Sequence, residues 1–180
     1  GGDLSVRVAG TIEGGLFYAE TGKMKLVAGK DIVSDPVIAS GNTQVELRAA
    51  GSLALGNITN PMATSRSAGP KNSSAPLGPL TREEYRMRIG TYGADSQLNL
   101  LALSGDLAIN TDGNPDNGIA PARVSATALN GSMTVKLLQM PGADGQLDLL
   151  AAKDIVVTGI TQYDTPENKL PSIGSPVKFG

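Results

Sequence analysis

Six segments of this chain repeat one pattern, and a repeat of this length leaves few architectures open. The clearest copies are Gln97-Leu98-Asn99-Leu100-Leu101-Ala102 and Gln146-Leu147-Asp148-Leu149-Leu150-Ala151, with Gln44-Val45-Glu46-Leu47-Arg48-Ala49 as a third. Written as alternating aliphatics, a glycine-containing corner, then Ile, Leu or Met, the pattern recurs from Leu4, Met24 and Val124. The first aliphatic positions fall at 4, 24, 45, 98, 124 and 147, so the intervals are 20, 21, 53, 26 and 23. Four of these are single units, and the fifth is a unit lengthened by an insertion.

Alternation at period two places Leu98, Leu100 and Ala102 on one face of a strand and Asn99 and Leu101 on the other. The first face is expected to line the inside of a coil. Gly10, Gly29, Gly51, Gly105 and Gly131 stand close to one column, where a tight bend needs positive φ or close backbone approach. The last copy has Lys153-Asp154 there instead. Asn130-Gly131 also reads as a two-residue hairpin turn between strands 124 to 129 and 132 to 137. The related Ala-Gly-Thr, Ala-Gly-Ser and Ser-Gly-Asp corners are poor hairpin sequences in the same place, which favours the coil. One stretch, Thr81 to Arg88, has helical chemistry: Thr81 as N-cap and Glu84 completing a capping box. The expected fold is all-β, a right-handed parallel β-helix (solenoid) with loop insertions. About eight rungs at roughly 4.8 Å each predict a rod near 40 Å long.

Composition agrees with a thin, regular core. The chain has 23 Gly, two Phe, four Tyr and no Trp, so aliphatics and alanine must fill the interior. It has no His and no Cys, which removes the commonest general base and metal ligand, the thiolate nucleophile and any disulfide. Fifteen basic residues against 17 acidic ones give a net charge of −2, with no basic run to serve as a nucleic-acid footprint. No apolar run approaches the ~18 residues of a membrane-spanning helix. The start at Gly1-Gly2-Asp3-Leu4, without Met or a signal sequence, and the absence of a capping helix predict a single β-helical segment, 1–180, of a longer chain.

Residues 60–96 form the insertion between rungs, and their first part, to Leu80, is rich in Pro, Ser, Ala and Gly with no strand period. A surface excursion is expected. A rigid scaffold can also carry recognition on such a loop, for which Tyr85 and Tyr92 are the available aromatic platforms. Residues 159–180 are expected to be irregular and to pack along the rod.

The chemistry on offer is sparse. Asp112, Asn114 and Asp116 place oxygen ligands at positions one, three and five of a calcium-type loop. The glycine falls one place late, Pro115 stiffens the middle, and Arg123 stands where a bidentate Glu belongs, so the expectation is a turn without metal or cofactor. Gly15 to Lys23 fails as a phosphate loop, with six residues between Gly15 and Gly22 where four are needed. β-Helical polysaccharide lyases and hydrolases need clustered carboxylates on an outward face. The outward carboxylates here are Glu46, Asp106, Asp148 and Asp154, with Asp106 and Asp154 separated in their column by Ser132. The chain is therefore expected not to be an enzyme, with a carbohydrate-active β-helix as the alternative.

Asn130-Gly131-Ser132, then Pro141-Gly142-Ala143-Asp144-Gly145-Gln146-Leu147-Asp148-Leu149-Leu150-Ala151 through Ile155, and Leu170-Pro171-Ser172, resemble the repeat region of filamentous-haemagglutinin-family exoproteins. The resemblance covers most of 97–175 and, loosely, 1–59. It implies two-partner secretion through an outer-membrane β-barrel transporter, and a secreted or bacterial cell-surface location. It also implies a structural shaft that displays an adhesin in adhesion, biofilm formation or contact-dependent interaction. Partners implied are the transporter, a host or neighbouring-cell surface glycan or protein, and further copies through self-association; nucleic acid is not among them. A second reading is a glycan- or protein-binding module acting through 60–96. The resemblance carries no functional residue to a position in this chain.

Overall fold

The computed structural model describes residues 2–60, 65–67, 86–88, 92–111, 118–140, 142 and 144–162. Its strands are β1 (Leu4–Val8), β2 (Ile12–Glu13), β3 (Leu16–Ala28), β4 (Ile32–Val33), β5 (Val37–Ala49), β6 (Leu53–Leu55), β7 (Asn57–Thr59) and β8 (Ser65–Ser67). They continue as β9 (Arg86–Arg88), β10 (Gln97–Ala102), β11 (Leu107–Asn110), β12 (Arg123–Ala128), β13 (Met133–Gln139), β14 (Gln146–Ala151) and β15 (Ile155–Gln162). No helix is present among the described residues.

Two parallel sheets wind together as a β-solenoid. The first runs β1-β3-β5-β10-β12-β14, with β7 beside β5; the second runs β2-β4-β6-β11-β13-β15. The fold is thus the parallel β-helix that the repeat predicts, six strands deep in each sheet. Every repeat start stacks on the next: Leu4 on Met24, Met24 on Val45, Val45 on Leu98, Leu98 on Val124 and Val124 on Leu147. Because Val45 pairs directly with Leu98, the 53-residue interval is one turn with an insertion and adds no extra rungs. The described rod is therefore shorter than the length-based expectation, spanning about 24 Å from first strand to last.

The core is made of columns. Leu26, Leu47, Leu100 and Ala126 form one, and Ile32, Leu53, Leu107 and Met133 face them from the second sheet, all buried in a single cluster. Beside the corner the column narrows to Ala28, Ala49, Ala102 and Ala128. A larger side chain there would overpack the bend, which is why the repeat ends in alanine. Each fully buried leucine contributes roughly 1.5–3 kcal/mol relative to exposure.

The corner glycines have a sharper reason than a generic bend. None of Gly10, Gly29, Gly51, Gly105 or Gly131 has positive φ. The last four answer to close stacking: a Cβ on Gly29 would strike the Ala9 carbonyl oxygen, and one on Gly131 the Gly105 carbonyl oxygen, whereas one on Gly10 would meet nothing within 4 Å. Positive φ is used at the next corner instead, in two stacked pairs, Gly14-Gly15 and Ser34-Asp35. For Ser34 and Asp35 that conformation costs about 1–2 kcal/mol per residue.

Asn130-Gly131 is a coil corner and not a hairpin, because β12 and β13 lie in different sheets. The helical reading of Thr81 to Arg88 is corrected for its last three residues. Arg86–Arg88 is a strand, paired antiparallel with Ser65–Ser67; a capping box is local chemistry, and partner backbone from 20 residues away supplies competing hydrogen bonds. Residues 81–85 lie outside the described residues, as do Tyr85 and the candidate loop Asp112, Asn114 and Asp116. The 159–180 segment begins later than expected: β15 runs through Gln162, with a bulge between Val135 and Lys136 absorbing one residue of its partner. Its remainder, 163–180, lies outside the described residues.

Candidate functional site

The outward residues of the first sheet alternate with the core columns and stand in ladders of their own. One ladder is Lys23, Gln44, Gln97, Arg123 and Gln146; its neighbour is Lys25, Glu46, Asn99, Ser125 and Asp148. Between them, over β3, β5 and β10, lies a half-open cleft of about 280 Å³ lined by Lys23, Lys25, Gln44, Glu46, Gln97 and Asn99, with Met24 and Val45 in the floor. The strand period puts these residues there: every second side chain must leave the core, and parallel register brings like positions side by side.

Lys25 Nζ donates to both Glu46 oxygens, at 2.7 and 2.8 Å. The two side chains are 37% and 42% exposed, which makes this a solvated ion pair worth at most about 1 kcal/mol. Three amides, Gln44, Gln97 and Asn99, supply donors and acceptors beside it. Such a surface can hydrogen-bond a polar, hydroxyl-rich or peptide-like ligand, and its concavity is modest.

Three other outward carboxylates have local work. Asp148 accepts from the Gln146 side-chain amide at 2.7 Å. Asp106 accepts the Ser132 backbone N–H at 2.8 Å, and Asp31 the Ser52 N–H at 2.7 Å. Asp106 and Asp154 flank Ser132 in the corner column, as their spacing predicts. Among the described residues no three acidic side chains come together. Tyr18 also pairs locally with a carboxylate. Its hydroxyl donates to Glu20 at 2.9 Å, and that hydrogen bond, with lesser desolvation and the carboxylate's charge, raises the phenol above its ordinary value.

Tyr92 is not the exposed platform that the sequence offers. It is 8% exposed, packs with Ile119, Leu138 and Met140, and donates its hydroxyl to the Ile119 carbonyl at 2.6 Å. It anchors the returning end of the insertion to the rod. Gln139 is one of the buried polar groups the alternation does not announce. Its amide nitrogen donates to the Ala122 and Gln146 carbonyls, at 2.5 and 2.9 Å, and its oxygen accepts from Gln162 at 2.8 Å. That pair of glutamines, in register on β13 and β15, ties the last two rungs together. Its signal was present only as two Gln residues 23 apart.

No family model, curated protein or solved structure matches this chain.

Proposed function

We propose that this chain is a shaft segment of a long, secreted bacterial exoprotein of the filamentous-haemagglutinin kind. Such an exoprotein passes the outer membrane through a dedicated transporter and displays an adhesive or contact-dependent element at the cell surface. The observation that carries the reading is the uninterrupted aliphatic columns that run through six stacked strands in each sheet. A rod of that kind is a spacer, since each rung adds length and contacts only its neighbours. The resemblance of residues 97–175 to exoprotein repeats supports the same assignment, and the outward carboxylates Asp31, Asp106 and Asp148 are engaged in local hydrogen bonds.

Binding along the outer face of the first sheet is the second reading, favoured by the amide-lined cleft over β3, β5 and β10. Catalysis on polysaccharide is a third, and the same experiment addresses it. Antibody raised against this chain is applied to intact producing cells, and the labelled material is imaged by electron microscopy. The shaft reading expects protease-sensitive surface label on fibres longer than this segment. Label released only on lysis, or a compact particle that cleaves polysaccharide, overturns it.

A further inference from the structure

The cleft over β3, β5 and β10 is polar, where most ligand pockets are apolar. Its floor residues Met24 and Val45 send their side chains into the core and are buried, so a ligand meets only the outward side chains. Among the described residues, the Lys23 ammonium and the side-chain amides of Gln44, Gln97 and Asn99 have no hydrogen-bond partner. Lys25 and Glu46 neutralise each other. What stays open is one cation and three amides, each amide carrying two N–H donors and a carbonyl acceptor.

Their order adds a second constraint. Along the first ladder the residues run Lys23, Gln44, Gln97 and Arg123, one to a rung. Two cations thus bracket two amides, about 14 Å apart at three strand spacings. Arg123 donates one N–H to the Ala94 carbonyl at 2.6 Å, and a guanidinium has further donors to give. Asn99 stands two residues along the strand from Gln97, on the neighbouring ladder. The row crosses β3, β5, β10 and β12, inner strands of the sheet with β1 and β14 outside them.

This arrangement selects among ligands. A nucleic acid needs cations on successive phosphates, and here amides hold the middle positions. An extended peptide takes a free strand edge and apolar side-chain pockets, and the cleft lies on a sheet face lined by polar groups. A neutral glycan uses the amides and leaves both cations unanswered. A polymer with carboxylates at intervals and hydroxyls between them engages the whole row.

We infer that this row binds an acidic polysaccharide, a uronate-type chain lying along the rod. Its carboxylates meet Lys23 and Arg123, and its hydroxyls meet Gln44, Gln97 and Asn99. Glu46 holds Lys25 out of the contact and so limits affinity. The inference rests on the second reading above, in which the outer face of the first sheet binds a ligand, and it is compatible with a shaft.

The test is isothermal titration calorimetry of the full 180-residue chain with three probes: an oligogalacturonide, its carboxyl-reduced neutral counterpart, and an acidic peptide of equal charge. Saturable binding of the oligogalacturonide is expected, with the neutral probe about tenfold weaker and the peptide silent. Lys23→Ala and Gln97→Ala should each weaken binding about three- to tenfold, and Glu46→Gln, which frees Lys25, should tighten it about threefold. Arg48→Ala, which removes an exposed cation outside the row, should change nothing. All four side chains point outward, so circular dichroism should show intact folding. Equal loss in the Arg48 and Lys23 variants would mean unspecific charge attraction and overturn the inference. A neutral probe that binds as tightly, with the same dependence on Gln97, overturns the acidic assignment and keeps the cleft as a binding face. Silence from all three probes overturns both, and the shaft reading keeps its own cell-surface experiment.

Discussion

The hexapeptides of β10 and β14 share one pattern, Gln-Leu-polar-Leu-Leu-Ala, and occupy different worlds. In β10 the inward residues Leu98, Leu100 and Ala102 are buried, sandwiched between β5 and β12. In β14 the equivalent Leu147, Leu149 and Ala151 are only partly buried, because β14 has a described neighbour on one side alone. Leu101 is half-buried, and its counterpart Leu150 is 60% exposed. In a stacked fold the repeat sets which way a side chain points, while burial comes from the rungs above and below. Stability should therefore be concentrated in the middle of the rod.

The comparison breaks first at the leucines. Leu100→Ala should cost about 3 kcal/mol, from lost transfer energy plus a cavity walled by Leu47 and Ala126, and Leu149→Ala about 1 kcal/mol. Urea unfolding of the two variants measures the difference; equal losses would mean that the end rung is as well packed as the interior. The corner glycines come next. Gly131→Ala drives a methyl into the Gly105 carbonyl and should cost about 1–3 kcal/mol, whereas Gly10→Ala, with open space around it, should stay within about 0.5 kcal/mol. Their thermal midpoints should separate accordingly.

Smaller effects sharpen the picture. Asp106→Ala strips the Ser132 N–H of its acceptor and should cost about 1 kcal/mol, while Asp154→Ala should leave stability unchanged within about 0.5 kcal/mol. The least effect belongs to the cleft. Lys25→Ala should cost no more than about 0.5 kcal/mol at low salt and nothing measurable in 1 M salt, because the ion pair with Glu46 is solvated and screened.

Much of this was legible in the residues. The six aliphatic starts stack in the register their spacing predicts, since period-two alternation and a buried face leave no room for slippage. The corner residues Asp106, Ser132 and Asp154 fall in the predicted order for the same reason. What was illegible depends on partners far away in sequence. Arg86–Arg88 looked helical from its own neighbours and is held as a strand by Ser65–Ser67. Tyr92 looked like a surface platform until Ile119, Leu138 and Met140 closed over it. The corner glycines were read as needing positive φ or close backbone approach; at Gly29, Gly51, Gly105 and Gly131 it is the second, and the atoms that crowd them belong to the adjacent corner, which the sequence alone does not identify. The cleft over β3, β5 and β10 combines three rungs, one of them beyond the insertion, so no single segment announces it.

A chain without cysteine allows a direct check of the stacking. Glu46 and Asn99 are adjacent outward partners across the insertion, 53 residues apart. Glu46→Cys combined with Asn99→Cys should oxidise to an intramolecular disulfide, because neighbouring parallel strands lie about 4.8 Å apart, within disulfide reach. Glu46→Cys combined with Ser125→Cys, two rungs apart at about 10 Å, should not. Rapid bridging in the first variant and none in the second is the result this stacking predicts. Bridging in the second, or in neither, would contradict it.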